Sequence, residues 1–279
     1  MENTRELQFE NPSFFKRLKG MLSVDFYRLF HTPLFYIFLG IAAIIPALVS
    51  MGAMGGGAEG VEATEATAMF TNAWQIIAAR SPLYVINDMG DYANMNMVFI
   101  FGGIMISIFI GHDYKSGYVK QLFTTHAKKQ DYMMSKTMLG AFSMVCMCVT
   151  YLIGGMISAA GTGLPFTVNA GSLICAILGK MIMSLGWASL YTFINVIFRS
   201  KFGISIALCF VLGTGIPVIG AAAVIGNSAA LNIFLYGSSV YACLSANFAS
   251  VIVCLAVSVA WAVIYNILGS WILSKRDCY

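Results

Sequence analysis

Six long stretches without a single aspartate or glutamate constrain this chain more than any other feature of its sequence. They run over 33–53, 94–111, 135–160, 172–198, 203–225 and 248–273. A helix needs about 20 apolar residues to cross the hydrocarbon core of a bilayer. The chain is 59% hydrophobic and only 10% charged, whereas soluble proteins carry about 25% charged residues, so a soluble enzyme is excluded. We predict an all-α polytopic membrane protein with six transmembrane helices in a single transmembrane domain, 1–279.

The basic residues predict how these spans are oriented. Lys and Arg concentrate in cytoplasmic loops, and 14 of the 16 Lys and Arg residues fall on one side when the segments between spans are assigned to alternate sides. The other side carries one arginine and five carboxylates, namely Arg80, Glu59, Glu62, Glu65, Asp88 and Asp91. Both termini are therefore predicted to be cytoplasmic, and 54–93 and 226–247 to be extracellular.

The segment before the first span, 11–31, is predicted to be an amphipathic helix. Apolar residues recur there at helical spacing, namely Phe15, Leu18, Leu22, Phe26 and Leu29. Basic residues lie off that stripe, as expected for a helix that rests in the inner interface of a membrane. Thr32-Pro33 then predicts the end of this helix and the start of the first span.

The two extracellular segments are more than connectors. Within 54–93, the pattern over 66–80 predicts an amphipathic helix. The other segment, 226–247, is too apolar for a free loop and too short to span, which favours one or two short re-entrant helices backed by protein. In the fifth span, the sequence from Gly213 to Pro217 predicts a broken helix, because proline removes a backbone donor.

Catalytic and metal-binding patterns are not found. The three histidines, His31, His112 and His126, are far apart in sequence and show neither metal-ligand spacing nor a nucleophile beside a base. The phosphate-binding motif G-x-x-x-x-G-K-[ST] does not occur. Ion-coupled transporters depend on ionisable groups within the membrane, and no span holds a carboxylate. The sequence predicts no enzyme, no cofactor and no metal site, and an external energy source if the protein transports.

A polar and aromatic stripe on the fourth span is the candidate substrate path. It consists of Lys180, Ser184, Trp187, Tyr191 and Asn195. At 100° per residue these positions share a sector of about 80°, which is predicted to face protein or a water-filled path. For Lys180 two alternatives stay open: its side chain reaches outward to the membrane surface, or it contacts substrate or a lipid headgroup.

Small residues form a ridge on the third span. Five small residues and one methionine recur at helical spacing along one face, namely Ser143, Met147, Thr150, Gly154, Ser158 and Gly161. Small residues let helices approach closely in lipid. We expect spans three and five to pack tightly here, either within one subunit or as a seam between two subunits.

The segment between spans two and three, 112–134, carries a family resemblance. It holds an acidic residue at the end of a span, a Gly-x-x-Lys helix, a basic turn, and an aromatic residue and a lysine that open the next span. This order resembles the cytoplasmic segment of ABC transporter type-2 permeases, the membrane subunits of many exporters. The matching residues are Asp113, Gly117, Lys120, Leu122, Lys128, Tyr132 and Lys136. The chain departs from the family pattern in carrying Asp113 where glutamate is common.

The resemblance implies the permease subunit of an ATP-driven ABC exporter in the bacterial cytoplasmic membrane. Its implied partners are two copies of an ABC ATPase subunit that binds ATP and Mg, a second permease copy or a related permease, and membrane lipid, but no nucleic acid. Antimicrobial peptides, drugs and lipid-like molecules are the substrate classes that the resemblance suggests. The alternatives are a non-transporting sensor or assembly subunit of an ABC complex and, less favoured, a secondary transporter.

Within this segment we predict a coupling helix that docks on the ATPase. The residues assigned to it are Asp113, Gly117, Tyr118, Lys120, Leu122, Phe123 and Lys128. Tyr118, Leu122 and Phe123 are expected to form an exposed apolar face, which usually marks a partner site. Lys120 and Lys128 would lie at its rim.

Overall fold

The structure of the chain, a computed structural model, describes residues 13–55, 96–124, 128–162, 170–199, 201–217, 232–245 and 247–275. Nine α-helices are found in these ranges: α1 Phe14–His31, α2 Pro33–Gly55, α3 Asn96–Lys115, α4 Tyr118–Thr124, α5 Lys129–Thr162, α6 Ala170–Phe198, α7 Phe202–Gly213, α8 Leu235–Ser245 and α9 Phe248–Lys275. The prediction of an all-helical protein is confirmed. The helix predicted over 66–80 lies outside the described residues.

Several of these helices are long and apolar enough to cross a membrane. By length and composition they are α3, α5, α6 and α9, while α1 and α2 pass the same test only together, with a bend of 67° between them. α7 has 12 residues and is therefore about 18 Å long, less than the ~30 Å hydrocarbon core. The described residues thus form four or up to five spans of a multi-pass membrane protein. The sixth span and the side of the termini stay predictions.

α6 lies at the centre of the bundle, with α3, α5, α7, α8 and α9 packed around it. Two adjacent glycines bring α3 close to its neighbours. A Cβ at Gly102 would lie 2.6 Å from the side chain of Met144 on α5, and a Cβ at Gly103 would lie 2.8 Å from the ring of Tyr191 on α6. Glycine is therefore required at both positions for α3 to touch α5 and α6 at the same level.

Among the described residues, the small-residue ridge of α5 packs against α2 at Gly154, and not against α7. A Cβ at Gly154 would clash with the carbonyl oxygen of Ala43, so the two backbones are in contact there. α7, which begins the predicted fifth span, packs instead on α3 and α6. The expected packing of span three on span five is not found for 201–217, the described part of the fifth span, because α3 and α6 supply the surface that α7 covers. At Gly154 the contact lies within one chain.

The junction of α1 and α2 matches the sequence prediction. Thr32 is extended, and its hydroxyl donates a hydrogen bond of 2.6 Å to the carbonyl oxygen of Arg28. α2 begins at Pro33, as expected of a proline that starts a helix.

The inward face of α1 differs from the predicted stripe. Leu18, Asp25 and Leu29 are its buried residues, whereas Phe15 is 79% exposed. The stripe is predicted to rest in the membrane interface, and the exposure of Phe15 does not contradict that; α5 packs against the face of α1 that carries Asp25. α1 lies alongside the first part of α5, and their contacts begin at the ion pair between Arg17 and Asp131.

The fifth span is broken where the sequence predicts a break. α7 ends at Gly213, Gly215 has φ +74°, and residues 216–217 are helical again. A Cβ at Gly215 would clash with the ring of Tyr236 on α8. α8 buries Tyr236, Leu235 and Val240 against α6 and α9. A short helix backed by protein is thereby confirmed for 235–245.

Candidate functional site

Four charged side chains form a buried network at the end of the bundle where α1, α3 and α5 meet. Lys136 Nζ lies 2.6 Å from Asp25 Oδ1 and 2.7 Å from Asp113 Oδ2. Arg28 donates a hydrogen bond to Asp113, and its Nη1 lies 3.8 Å from Asp25 Oδ1. Both carboxylates are fully buried and Lys136 is 1% exposed, while Arg28 keeps 25% of its side chain in contact with solvent. We call these four residues the charge network.

The composition of the charge network explains how charges can be buried here. Two cations face two carboxylates, and each carboxylate contacts both cations, so no charge is left without compensation. Ser135 Oγ donates a further hydrogen bond of 2.7 Å to Asp25 Oδ2. The ring of Phe109 lies 4.9 Å from Lys136 Nζ and 5.1 Å from the Arg28 guanidinium carbon, within the range of cation–π attraction.

The charge network holds α4 in place through Tyr118. Gly117, with φ +73°, turns the chain out of α3, and glycine adopts this conformation at little cost. The ring of Tyr118 then lies 4.4 Å from the Arg28 guanidinium carbon. Burial, together with the negative charge of Asp25, raises the pKa of Tyr118, so its hydroxyl stays neutral at physiological pH.

The other side of α4 rests on a small apolar cluster. Val119 is 1% exposed and packs with residues from the beginning of α5 and the ends of α6 and α9, namely Tyr132, Met133, Val196 and Leu273. Leu122 and Phe123 pack against the same cluster, and the Phe123 and Tyr132 rings meet edge to face at 5.8 Å. α4 is thus fixed to four other helices.

These contacts revise the predicted coupling surface. Tyr118, Leu122 and Phe123 are only partly exposed, so the expectation of an exposed apolar face is wrong. The physical reason is that the ends of α5, α6 and α9 offer an apolar surface that a seven-residue helix covers. The exposed positions are Lys120, Gln121 and Thr124 on α4, and Lys128 beside it. Asp113, predicted for coupling, lies inside the charge network.

The predicted stripe of the fourth span faces protein, as expected. Lys180, Ser184, Trp187, Tyr191 and Asn195 all have at most 2% exposure. Trp187 stacks on the ring of Phe99 at 5.5 Å and lies 5.4 Å from that of Tyr191. Asn195 Nδ2 donates a 2.9 Å hydrogen bond to Ser107 Oγ on α3.

Lys180 remains inside the bundle. It is 2% exposed, and its Nζ lies 5.6 Å from the centroid of the Phe99 ring. A buried Lys180 does not support a side chain that reaches outward to the membrane surface. It does not support contact with a lipid headgroup either, because both would require an exposed ammonium group. The stripe therefore belongs to the contact between α3 and α6, and its part in a substrate path stays a prediction.

Sequence reasoning missed Asp25, although a signal for it exists. Asp25 follows Leu18 by seven residues and precedes Leu29 by four, a spacing that puts all three on one helix face. A carboxylate on an apolar helix face needs a buried partner. That pattern indicates an ion pair, but it does not indicate which cation supplies it.

Comparisons with protein-family models, with curated proteins and with solved structures found no match to this chain.

Proposed function

We propose that this chain is the permease subunit of an ATP-driven ABC exporter of the bacterial cytoplasmic membrane, forming the substrate path as a dimer and coupled to a separate ATPase subunit. The observation that carries the proposal is the anchoring of α4. A short helix between two long apolar helices is fixed through Tyr118 to the charge network and through Val119 to the apolar cluster. A displacement of such a helix by a bound partner would be transmitted to several helices at once.

The distribution of buried carboxylates supports an external source of energy. Asp25 and Asp113 are paired with Lys136 and Arg28, and Asp131 is paired with Arg17 at 2.8 Å. None of the six predicted spans holds a carboxylate. Proton- and ion-coupled transporters carry such groups along the path of the ion, so ATP hydrolysis by a partner is the better supported source.

The exposed residues of α4 define where the partner would bind. Lys120, Gln121 and Thr124 are exposed, as is Lys128 just before α5. This surface is polar and basic, and it would complement an acidic patch on the ATPase. Charges at the rim of an interface mainly accelerate and orient association.

Charge reversal at Lys120 tests the proposal. We expect Lys120→Glu to lower co-purification of the proposed ATPase subunit about tenfold, because it would place like charges opposite each other. Lys19→Glu is the matched control, since Lys19 is an exposed lysine of α1 and makes the same change in net charge. Its effect on ATPase co-purification should be less than twofold.

Two outcomes contradict the proposal. One is the absence of any ATP-binding subunit from complexes purified with the unmodified chain. The other is normal ATP hydrolysis by the complex with no movement of any tested peptide, drug or lipid in reconstituted vesicles, which would favour a sensor or assembly subunit.

A further inference from the structure

The side of α1 that faces away from α5 carries five exposed side chains, which we call the outer face of α1. They are Lys16, Lys19, Ser23, Tyr27 and Phe30. At 100° per residue these positions share a sector of about 80°. The two lysines lie at the beginning of this face, and the two aromatic rings lie about 12–17 Å beyond Lys19, at 1.5 Å per residue.

The surroundings of the outer face change from polar to apolar in the same direction. At its beginning, α1 meets the polar start of α5 through the ion pair of Arg17 with Asp131. At its end, the ring of Phe30 lies 6.1 Å from that of Phe142 on α5, which is itself exposed. The outer face therefore leads from cations through aromatic rings to the apolar surface of a long helix. Headgroups, interface and hydrocarbon follow one another in this order in a leaflet.

No carboxylate balances the two lysines within the described part of the chain. The carboxylates of that part are Asp25, Asp113 and Asp131. They are at most 1% exposed, and each is paired with a cation other than Lys16 and Lys19. The charge on the outer face is therefore purely positive, and basic residues at a membrane surface are attracted to anionic lipids.

We propose that the outer face of α1 binds anionic phospholipids in preference to zwitterionic ones. The two lysines would contact the lipid phosphates, and the two aromatic rings would lie in the interface next to them. An acidic protein surface would suit the lysines alone. The exposed aromatic surface, however, continues onto α2, where Tyr36 is 55% exposed and donates a hydrogen bond of 3.0 Å to the carbonyl oxygen of Phe30. The inference goes beyond the proposed function, since lipid selectivity requires neither an ATPase nor transport.

Quenching by labelled lipids measures this preference at the outer face itself. Ser23→Cys, introduced into the full chain without its native cysteines, carries a fluorophore between the lysines and the rings. The chain is reconstituted in phosphatidylcholine vesicles that contain a small fraction of nitroxide-labelled phosphatidylglycerol or nitroxide-labelled phosphatidylcholine. At low salt the association constant for the phosphatidylglycerol should be at least about fivefold higher, the effect of one lysine near an anionic surface.

Two pairs of substitutions locate the preference. Lys16→Gln with Lys19→Gln should reduce the ratio of the two association constants to about one, whereas arginine at both positions should preserve it, because arginine keeps the charge. Lys120→Gln with Lys128→Gln is the matched control, since it removes the same charge from exposed lysines in and beside α4. The control should change the ratio by less than about twofold.

The solution conditions separate a lipid surface from a free anion. Salt at about 1 M should lower the ratio, because the Debye length falls to about 3 Å. Inorganic phosphate should have no greater effect than chloride at the same ionic strength, and a specific loss of the preference in phosphate would indicate a free-anion site instead.

Three further outcomes overturn the proposal. One is equal association of the two lipids with the unmodified outer face. Another is an equal loss of preference in the α4 control, which would assign it to the overall charge of that end of the molecule. The third is the absence of quenching by either lipid, which would place the outer face in water or against a protein. Loss of ATPase co-purification bears only on the proposed function.

Discussion

Asp25 shows how a single residue can connect elements that are distant in sequence. Its carboxylate accepts hydrogen bonds from Ser135 and Lys136, more than 100 residues further along the chain. Lys136 in turn contacts Asp113 at the end of α3. Because all these groups are buried, the loss of one partner leaves a charge that water does not reach and that the remaining members of the charge network compensate only in part. Removing one partner of a buried ion pair typically costs about 3–5 kcal/mol.

Replacing Lys136 alone by a neutral residue is expected to destabilise the protein more than replacing both Lys136 and Asp25 by neutral residues. Lys136→Met should lower the free energy of unfolding by about 3–5 kcal/mol, since two carboxylates then face Arg28 alone. The double variant Asp25→Asn with Lys136→Met should lose less than the sum of the two single variants, because it restores charge balance. Unfolding in mixed detergent micelles measures all three.

The exposed lysine of α4 provides the control for this cycle. Lys120→Met removes the same charge from the surface, where substitutions usually change stability by less than about 0.5 kcal/mol. Additive effects of the two substitutions in the charge network would contradict the coupling described above.

At the scale of the helices, glycine decides which pairs are close. α2 and α5 touch through backbone atoms at Gly154 and Ala43, and this contact fixes how the first span is seated against the third. Not every helical glycine has this role: Gly40, on the same helix as Ala43, would have open space around a Cβ. The presence of a glycine in a helix of this chain therefore does not by itself show that another helix packs closely there.

Alanine substitutions at these two glycines should have opposite effects. Gly154→Ala should destabilise the protein by about 1–3 kcal/mol, the usual cost of overpacking, because α2 has to move away from α5. Gly40→Ala should be neutral or stabilising by up to about 1 kcal/mol, since alanine is the better helix former. Thermal unfolding of the purified variants in detergent compares them. Equal melting temperatures for the two variants would show that the close contact between α2 and α5 is absent.

At the scale of the whole molecule, the basic segments gather at one end. The apolar cluster under α4 joins the beginning of α5 to the ends of α6 and α9. Lys115 at the end of α3 lies 4.3 Å from the ring of Phe202 at the start of α7. The elements that carry most of the basic residues therefore share one side of the bundle, which is the arrangement that the positive-inside rule associates with the cytoplasm.

Cysteine labelling tests the predicted orientation. In a chain without its native cysteines, Lys120→Cys and Lys275→Cys should react with a membrane-impermeant maleimide only in inside-out vesicles. Glu62→Cys should react in intact cells, since 54–93 is predicted to be extracellular. Labelling of Lys120→Cys in intact cells at the rate of Glu62→Cys would reverse the orientation and remove the basis for an intracellular ATPase contact.

The positions of the helices could be predicted from the sequence, because each depends on local chemistry. Uninterrupted apolar runs predict α2, α3, α5, α6 and α9, and Thr32-Pro33 predicts the junction of α1 and α2. The break at Gly215 and the short helix before α9 follow from glycine, proline and segment length. These features need only the preferences of neighbouring residues and the thickness of a bilayer. The inward orientation of the stripe on the fourth span was also predictable, since polar groups avoid lipid.

Partner choice was decided by the tertiary structure alone. Helical spacing shows that Asp25 shares a face with Leu18 and Leu29, but only the packing of α1 along α5 pairs it with Lys136. Likewise, Gly154 predicts a close contact, and the fold selects Ala43 of α2 as its partner. Leu122 and Phe123 look like an exposed face in sequence, until the ends of α5, α6 and α9 cover them. Each of these outcomes depends on which surfaces meet across long stretches of chain, and local periodicity carries no information about that.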